Sequence, residues 1–243
     1  SNVAGQADYT TIQAAVNAAI ADSPTIDNQA TVWIWPGSYT ENVTLGSYIN
    51  LACAQRNTVF IEGSITYSGS SSGAIALQNI NVRSQSDSSL KISNLGSTGT
   101  VLIDNCELNS YSTGGFGLEM VSQAGLLYVS DSVLAGYSTG GACSLDFGVS
   151  MGANNTIFYS PSGAMSLGDC NFTCYSSNIS SVVNITDGAC LINAYNTFFS
   201  SLDSTGSLII NSSGQDTVEI NMLGCQTECN GSGGSYIIEG AGN

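Results

Sequence analysis

Histidine is absent from this 243-residue chain, and only three residues are basic: Arg56, Arg83 and Lys91. Without histidine the chain cannot build a Ser-His-Asp triad, and an activated cysteine would lack the positive surroundings that stabilise a thiolate. Nucleic acids and anionic membranes are bound through clusters of lysine and arginine, which the sequence does not contain. The net charge of −15 argues against both kinds of partner.

Long apolar runs are also missing. No stretch approaches the ~20 continuous apolar residues of a membrane-spanning helix, so no membrane insertion is predicted. Charged residues make up 9% of the chain, against about 25% in typical soluble domains. The polar surface must therefore consist largely of serine, threonine, asparagine and glycine, which suits stacked strands with ladders of hydroxyl and amide groups.

A five-residue sequence, Tyr-Ser-Thr-Gly-Gly, occurs at 111–115 and again at 137–141. Leu108 and Leu134 precede the two copies by three residues each. Glycine-rich turns that return at a fixed period in the twenties indicate successive coils of a β-solenoid.

A second series places asparagine or aspartate three residues before a large apolar residue. Its members are Asn79/Val82, Asn105/Leu108, Asp131/Leu134, Asp169/Phe172 and Asn196/Phe199. The interval between Asp131 and Asp169 is longer than the others, which predicts an inserted loop or an extra irregular segment. Asn155/Phe158 also fits, but it lies too close to Asp169 for a whole coil to separate them, so we expect one of these two matches to be accidental.

The N-terminal part has the pattern of a helix that covers the end of a solenoid. Thr10 and Gln13 have the capping-box spacing, and Ile12, Val16 and Ile20 share one face at helical spacing. A capping helix over 10–21 is predicted, because an open solenoid end exposes strand edges and apolar interior. Coils are expected over about 30–230, within a single domain spanning 1–243.

Eight cysteines are present, and the even number allows disulfides. Cys170/Cys174 and Cys225/Cys229 are each four apart, about 13 Å along a strand, which exceeds the roughly 7 Å limit for a bridge within the pair. Bonds between neighbouring coils stay open. We expect mostly free thiols that fill inward positions as small apolar residues.

Two segments carry a family resemblance: 9–16 (YTTIQAAV) and 32–43 (VWIWPGSYTENV). They resemble the N-terminal part of the pectin-lyase-like superfamily, and of pectinesterases most. Segments 73–80 and 104–108 are similar to later coils of that family. The resemblance implies an all-β protein, a single-stranded right-handed parallel β-helix with an N-terminal capping α-helix.

The chain departs from the pectinesterase pattern where that family carries its chemistry. The resemblance would place a Gln-Asp-Thr motif after 106–108, where this chain has 109–113 (NSYST). Gln-Asp-Thr at 215–217 comes too late, 146–148 (DFG) matches the family's second aspartate motif only loosely, and no arginine follows Arg83. We therefore predict that the protein is not an enzyme, with no catalytic residues, no metal site and no cofactor.

The capping segment followed by Ser/Gly/Asn-rich coils is also similar to β-helical fibres, spikes and capsid appendages of phages and large viruses. This resemblance implies a non-catalytic structural or binding protein on a virion surface, associated as a homotrimer and in contact with other virion proteins. Its external partner would be a host-surface glycan or receptor. The alternatives are a polysaccharide-active enzyme, either a glycoside hydrolase or pectinesterase-like, and a bacterial adhesin at the extracellular surface.

Candidate site residues follow from the coil spacing. Tyr111 and Tyr137, one coil apart, are predicted to form an aromatic strip that binds sugar rings. Glycoside hydrolysis needs two carboxylates held together, and the acidic residues in nearby coils are Glu107, Glu119, Asp131 and Asp146. Asp131 shares its position with Asn105, so we expect these acids to be solvated or to occupy turns.

Overall fold

The computed structural model describes residues 8–67, 69, 72–121, 125–145, 148–168, 170–187, 189–201, 209–212, 218–229 and 237–240. Within them one helix, α1 (Ile12–Ala21), precedes 25 strands. The first thirteen strands are β1 Ala30–Trp33, β2 Gly37–Tyr39, β3 Val43–Leu45, β4 Ile49–Ala52, β5 Val59–Glu62, β6 Ile65–Tyr67, β7 Ala74–Gln78, β8 Asn81–Ser84, β9 Leu90–Ser93, β10 Thr100–Asp104, β11 Glu107–Ser110, β12 Leu118–Val121 and β13 Gly125–Ser130. The others are β14 Val133–Gly136, β15 Cys143–Leu145, β16 Val149–Asn154, β17 Ile157–Gly168, β18 Asn171–Tyr175, β19 Asn178–Asp187, β20 Cys190–Tyr195, β21 Phe198–Ser201, β22 Ile209–Ser212, β23 Val218–Leu223, β24 Gln226–Cys229 and β25 Ile237–Gly240.

The strands stack as parallel ribbons. The first ribbon is a nine-stranded sheet in the order β1-β4-β7-β10-β13-β16-β18-β20-β23. The second ribbon begins β2-β5-β8-β11-β14 and the third begins β3-β6-β9-β12-β15; both belong to one 14-stranded sheet and are joined through β17. The chain thus visits the three ribbons in turn, which confirms the predicted right-handed parallel β-helix with its N-terminal helix.

The helix begins at Ile12, two residues later than predicted, because Thr11 rather than Thr10 is its N-cap. The Thr11 hydroxyl accepts a hydrogen bond from the Ala14 N–H (3.2 Å). Gln13 does not complete a capping box. Its side-chain oxygen instead accepts from the Thr44 N–H (2.6 Å) and ties α1 to β3. Buried Ile12 and Val16 face the interior of the first coil.

A ladder of left-handed residues marks the corner between the first and second ribbons. These residues have φ between +46° and +67° and are Asn79, Asn105, Asp131, Asn155, Ser176, Asn196 and Gly224. Side-chain amides connect successive coils: Asn105 Nδ2 donates to Asn79 Oδ1, and Asn155 Nδ2 donates to Asp131 Oδ1, each at 2.6 Å. Asparagine suits this corner because it tolerates the left-handed conformation and bonds to its neighbour above or below.

The predicted series is therefore correct at Asn155 and wrong at Asp169/Phe172. Phe172 lies in the first ribbon, where it is paired with Met151 and Ile192, and Asp169 lies outside the described residues. No inserted loop separates Asp131 from the next corner residue.

The coils become shorter instead of longer after Asp131. Asp131 and the next corner residue, Asn155, are 24 residues apart, and the inward positions that follow two successive corners, Thr156 and Ser177, are 21 residues apart. The first two residues are lost on either side of β15, because Leu118 pairs with Cys143 and Gly125 pairs with Val149. The further shortening arises because β17 continues from the second ribbon into the third without the loop that earlier coils have.

The position after each corner residue points inward and carries a small polar hydrogen-bond donor in several coils. The Ser132 hydroxyl donates to the Ser130 carbonyl (2.6 Å), and the Cys106 thiol donates to the Asp104 carbonyl (3.2 Å). Cysteine in this slot thus replaces serine as a donor, which adds to the predicted role of an apolar filler. Cys170 and Cys190, on adjacent coils, have their sulfur atoms 3.9 Å apart.

Candidate carbohydrate-binding face

Tyr111 and Tyr137 lie on the outer side of the second ribbon. Each directly follows a strand whose leucine, Leu108 or Leu134, is buried in the interior, and Ser110 is paired with Gly136. Because side chains alternate along a strand, both tyrosines point outward. Their ring centroids are 4.8 Å apart with planes at 8°, and their exposed fractions are 40% and 42%.

A third ring continues this row. Tyr159, on β17, is paired with Ala135, and its centroid lies 5.5 Å from that of Tyr137 with planes at 55°. Stacking occupies one ring face of Tyr111 and one of Tyr137, and Tyr159 adjoins Tyr137 from the next coil, so Tyr111 is the end ring of the row. The second face of Tyr111 is therefore the one that no other ring of this row occupies.

The glycines of the repeated sequence shape the turns that hold these rings. Gly114 has a φ of +78°, a conformation that other residues rarely adopt. A Cβ on Gly140 would collide with the carbonyl oxygen of Gly115, so the two turns lie in direct backbone contact. The Gly114 N–H donates to the Thr139 hydroxyl (3.2 Å) across the same contact.

Two of the chain's three cations form ion pairs with glutamates of the second ribbon. Arg56 and Glu107 approach to 3.8 Å, and Arg83 and Glu62 approach to 3.5 Å. The Arg83 guanidinium also lies 4.7 Å from the centroid of the Phe60 ring. Each arginine is thus paired with a glutamate of another coil, and the face carries polar groups without a local excess of positive charge.

Asparagine side chains form a buried polar layer beside these ion pairs, since Asn81 is paired with Glu107 and Asn109 with Arg83. Asn81 is fully buried and Asn109 nearly so. Asn81 Nδ2 donates to Asn57 Oδ1 (3.3 Å). Within the described residues, Asn81 Oδ1, Asn109 Oδ1 and Arg56 Nε have no hydrogen-bond partner. Buried polar groups are seldom left unpaired in folded proteins, so this layer is an unusual feature of the face.

Burial of the ring raises the pKa of Tyr137 above its usual value, and the neighbouring Tyr111, Tyr159 and Glu107 act in the same direction while Arg83 acts against it. The Tyr137 hydroxyl is therefore protonated at neutral pH. It offers one donor and two acceptor positions to a ligand.

The four candidate carboxylates do not form a cluster. Glu107 belongs to the second ribbon, whereas Glu119 lies on the third, where it contacts Lys91 Nζ (3.0 Å) and accepts from the Ser88 hydroxyl (2.6 Å). Asp131 occupies a corner, as expected, and Asp146 lies outside the described residues.

In the described part of the chain no three histidine, cysteine, aspartate or glutamate residues are grouped to hold a metal ion. No described helix has the length and apolar character to cross a bilayer.

Sequence reasoning missed a second stacked pair. Tyr175 and Tyr195 lie on the outer side of the first ribbon with centroids 4.9 Å apart and planes at 10°. Each directly precedes a corner residue, Ser176 or Asn196. Equivalent positions on successive coils in this part of the chain are only 20 residues apart. The pair therefore becomes visible only after the shorter coils are recognised.

Comparison with known proteins gives a consistent answer on fold. No protein-family model and no curated protein sequence matches the chain. The chain is structurally similar to pectin methylesterase from Aspergillus niger, with a TM-score of 0.57 and 14% identity over 97% of this chain and 87% of that one. It is also similar to pectin methylesterase from carrot, with a TM-score of 0.52 and 12% identity over 97% and 83% of the two chains.

These similarities correct two predictions. The prediction that the protein is not an enzyme is contradicted, because the solved structures that share its fold over nearly its full length are enzymes. The predicted resemblance to viral and phage appendages finds no support among them. At 12–14% identity the likeness shows the fold, and this fold, a pectin-methylesterase-like right-handed parallel β-helix, is what the chain shares with them.

Proposed function

We propose that the protein binds a polysaccharide along the outer side of its second ribbon, with Tyr111 and Tyr137 as the central contacts. The observation that carries this proposal is the parallel stack of the two rings at 4.8 Å, each about two-fifths exposed. Aromatic rings that are fixed by their neighbours offer contact area at a low cost in conformational entropy.

The stack suits a sugar in two ways. The second face of Tyr111 provides an apolar surface for the C–H groups of a sugar ring, and the tyrosine hydroxyls at the ring edges form hydrogen bonds. Glu107 and Glu62, held by their arginines, add acceptors for sugar hydroxyl groups. Such a combination of an apolar platform with a few fixed polar groups is typical of ligand sites.

Charge favours a neutral polysaccharide over an anionic one. The net charge of the chain is −15, and both arginines of this face are already paired with glutamates. A polyanion would meet repulsion that no free cation of the face offsets. Since the fold resembles that of pectin methylesterases, we expect highly methyl-esterified pectin to bind better than fully de-esterified pectin.

Chemistry on the bound polysaccharide is a second candidate function. It is favoured by the position of Glu107 on the same face, close enough to Tyr137 to raise that hydroxyl's pKa. Glu107 is the carboxylate best placed to exchange a proton with a sugar held against Tyr111 and Tyr137. Release of methanol from methyl-esterified pectin, or of reducing ends from neutral glycans, is the corresponding assay, with Glu107→Gln as the test variant.

Affinity gel electrophoresis tests the binding proposal. The unmodified protein should be retarded by methyl-esterified pectin or a neutral glucan. Tyr111→Ala should bind about tenfold more weakly, because it loses one stacking contact on an aromatic ring, which contributes ~1–3 kcal/mol for a ring the size of a nucleic-acid base. Tyr175→Ala is the matched control, since it removes one ring of a similar stack on the first ribbon. Equal weakening by the two substitutions, or no retardation by any of the glycans, would refute the proposed site.

Three predictions from the sequence remain predictions: association as a homotrimer, contact with other virion proteins, and a place on a virion or cell surface. Glycan binding at Tyr111 and Tyr137 is compatible with a host-attachment role in either setting. Light scattering on the purified protein measures the oligomeric state directly, and a monomeric mass would exclude the trimer.

A further inference from the structure

A cleft of about 700 Å³ lies at the N-terminal end of the β-helix, between α1 and β1. One wall is the helix face formed by Ala15, Ala18 and Ala19, and the opposite wall is β1 with Trp33 at its end and Trp35 just beyond it. The cleft is separate from the tyrosine face, because β1 belongs to the first ribbon. Its volume falls in the range of ligand-binding clefts in proteins.

One edge of the strand in this wall is not paired with any described strand. Among the described strands, β1 is the terminal strand of its sheet and is paired only with β4. The Ala30 and Ile34 N–H groups donate to carbonyls of the neighbouring coil at 2.9 and 2.8 Å. Because successive residues of a parallel strand bond to opposite sides, the N–H and C=O groups of Thr31 and Trp33 point to the open edge, where no described residue hydrogen-bonds to them.

Large aromatic side chains stand exposed beside this edge. The exposed fractions of Trp33 and Trp35 are 64% and 54%, and Tyr9 at the mouth of the cleft is also exposed. Trp33 and Trp35 are the two tryptophans of the whole chain. Tryptophan that remains this exposed beside a cleft is typical of interaction sites.

The charge of the cleft is negative. Asp8 and Asp22 are part of its lining, which includes no lysine or arginine. A basic ligand gains from these carboxylates, from the net charge of −15 and from cation–π contact with the indole rings. A second copy of the chain is a poor occupant, because its three cations are all paired with glutamates.

We propose that this cleft binds an extended peptide segment rich in lysine or arginine, which adds to the open edge of β1 as a further strand. Backbone groups of Thr31 and Trp33 form the main-chain hydrogen bonds, and the indoles and carboxylates contact alternate side chains of the peptide. A peptide fits the alternating donors and acceptors of a strand edge, whereas a sugar chain has no matching repeat. The four residues of β1 provide a strand about 13 Å long.

Tryptophan fluorescence is a direct readout, since both tryptophans line the cleft. An acetylated, amidated peptide of sequence Lys-Val-Lys-Thr-Lys-Val should shift the emission in a saturable way, and the same peptide with glutamate in place of lysine should not. Two further peptides carry N-methyl groups on alternate backbone nitrogens, either on the odd-numbered or on the even-numbered residues. The peptide in which the methyl groups replace the N–H donors that face β1 should bind about tenfold more weakly, and the other should lose much less affinity. Equal effects of the two methylated peptides would overturn strand addition.

Two variants examine the cleft itself. Asp8→Asn combined with Asp22→Asn should weaken peptide binding and flatten its salt dependence, while circular dichroism reports an unchanged fold. Thr31→Pro removes an N–H that faces the open edge, where proline is tolerated, and should lower the affinity by about tenfold. A neutral oligosaccharide that competes with the peptide for the same emission shift would instead assign the cleft to glycans. Tyr111→Ala should leave the peptide titration unchanged, so this test is independent of the glycan proposal.

Discussion

The carboxylate of Glu41 caps a helix that begins 29 residues earlier in the chain. Its Oε1 accepts from the Ile12 N–H and its Oε2 from the Gln13 N–H, each at 2.9 Å. The first N–H groups of a helix have no partner within the helix, and the helix dipole favours a negative charge at this end. One side chain therefore joins α1 to the turn that follows β2 and fixes the helix over the open coil.

Replacing Glu41 by alanine should lower the free energy of unfolding by about 2 kcal/mol, since two charge-assisted hydrogen bonds and a favourable dipole interaction are lost. Chemical denaturation followed by circular dichroism measures the change. Asp27→Ala is the matched control, because it removes the same charge from an exposed position. If the two substitutions lower the free energy of unfolding by similar amounts, the hydrogen bonds of Glu41 add no stability beyond the effect of its charge.

The corner ladder predicts an ordering of substitutions at Asn105. Asn105→Ala loses the bond to Asn79 and places a Cβ-bearing residue without a compensating side chain at φ +55°, so we expect a loss of about 2 kcal/mol. Asn105→Gly loses the same bond but relieves the backbone, and should cost about half as much. Urea titrations of both variants give the comparison, and a less stable glycine variant would contradict the explanation.

The contact between the two glycine turns predicts a strong effect of a single methyl group. Gly140→Ala places a Cβ against the Gly115 carbonyl, so the two coils must separate locally, at a cost of at least about 2 kcal/mol. Gly152→Ala is the control, because a Cβ there meets only the Tyr128 ring, at an ordinary contact distance of 3.5 Å. We expect a clear drop in melting temperature for the first variant and little change for the second.

Alkaline pH should destabilise the fold through buried thiols. Burial raises the pKa of Cys106 from 9.0 to about 12. Because the folded state keeps a proton that the unfolded state releases, this stabilisation is complete below pH 9 and is lost as the pH rises towards 12. The free energy of unfolding should fall by up to about 1.4 kcal/mol per pH unit from this group.

Urea unfolding under reducing conditions at several pH values between about 8 and 11 measures that slope. Cys106→Ala should give a shallower dependence than the unmodified protein. Ser132→Ala changes the next inward slot along the β-helix without removing a titrating group, so it should lower stability at every pH and leave the slope unaltered. An unchanged slope in Cys106→Ala would show that this thiol does not cause the loss of stability at alkaline pH.

The fold could be predicted from sequence as far as the coil length stays constant. Asn79, Asn105 and Asp131 follow one another at a constant interval of 26 residues, and their common role follows from that spacing. The constant interval ends at Asn155, where the coil is two residues shorter. The next coil is shorter again because β17 runs from one ribbon into the next, which a fixed period cannot anticipate. Segment 9–16 predicts the helix but not the contact of its first N–H groups with Glu41, because Glu41 is remote from them in sequence.

The candidate site was predictable only in part. Tyr111 and Tyr137 are recognisable because the same five-residue sequence carries both. Tyr159 is absent from that series, since it lies within β17 and reaches the row through its side chain. The contact between Arg56 and Glu107 spans two coils, and no local pattern indicates which of the 18 acidic residues an arginine will meet.

Each of the three basic side chains is paired with a different glutamate. No basic side chain is therefore left to balance the net charge of −15. In solution the molecule behaves as a polyelectrolyte surrounded by mobile cations. At about 0.01 M salt, where screening extends roughly 30 Å, neighbouring molecules should repel one another across several water layers. Near physiological salt this range shrinks to about 8 Å, and molecules can approach closely enough for short-range contacts to decide whether they associate.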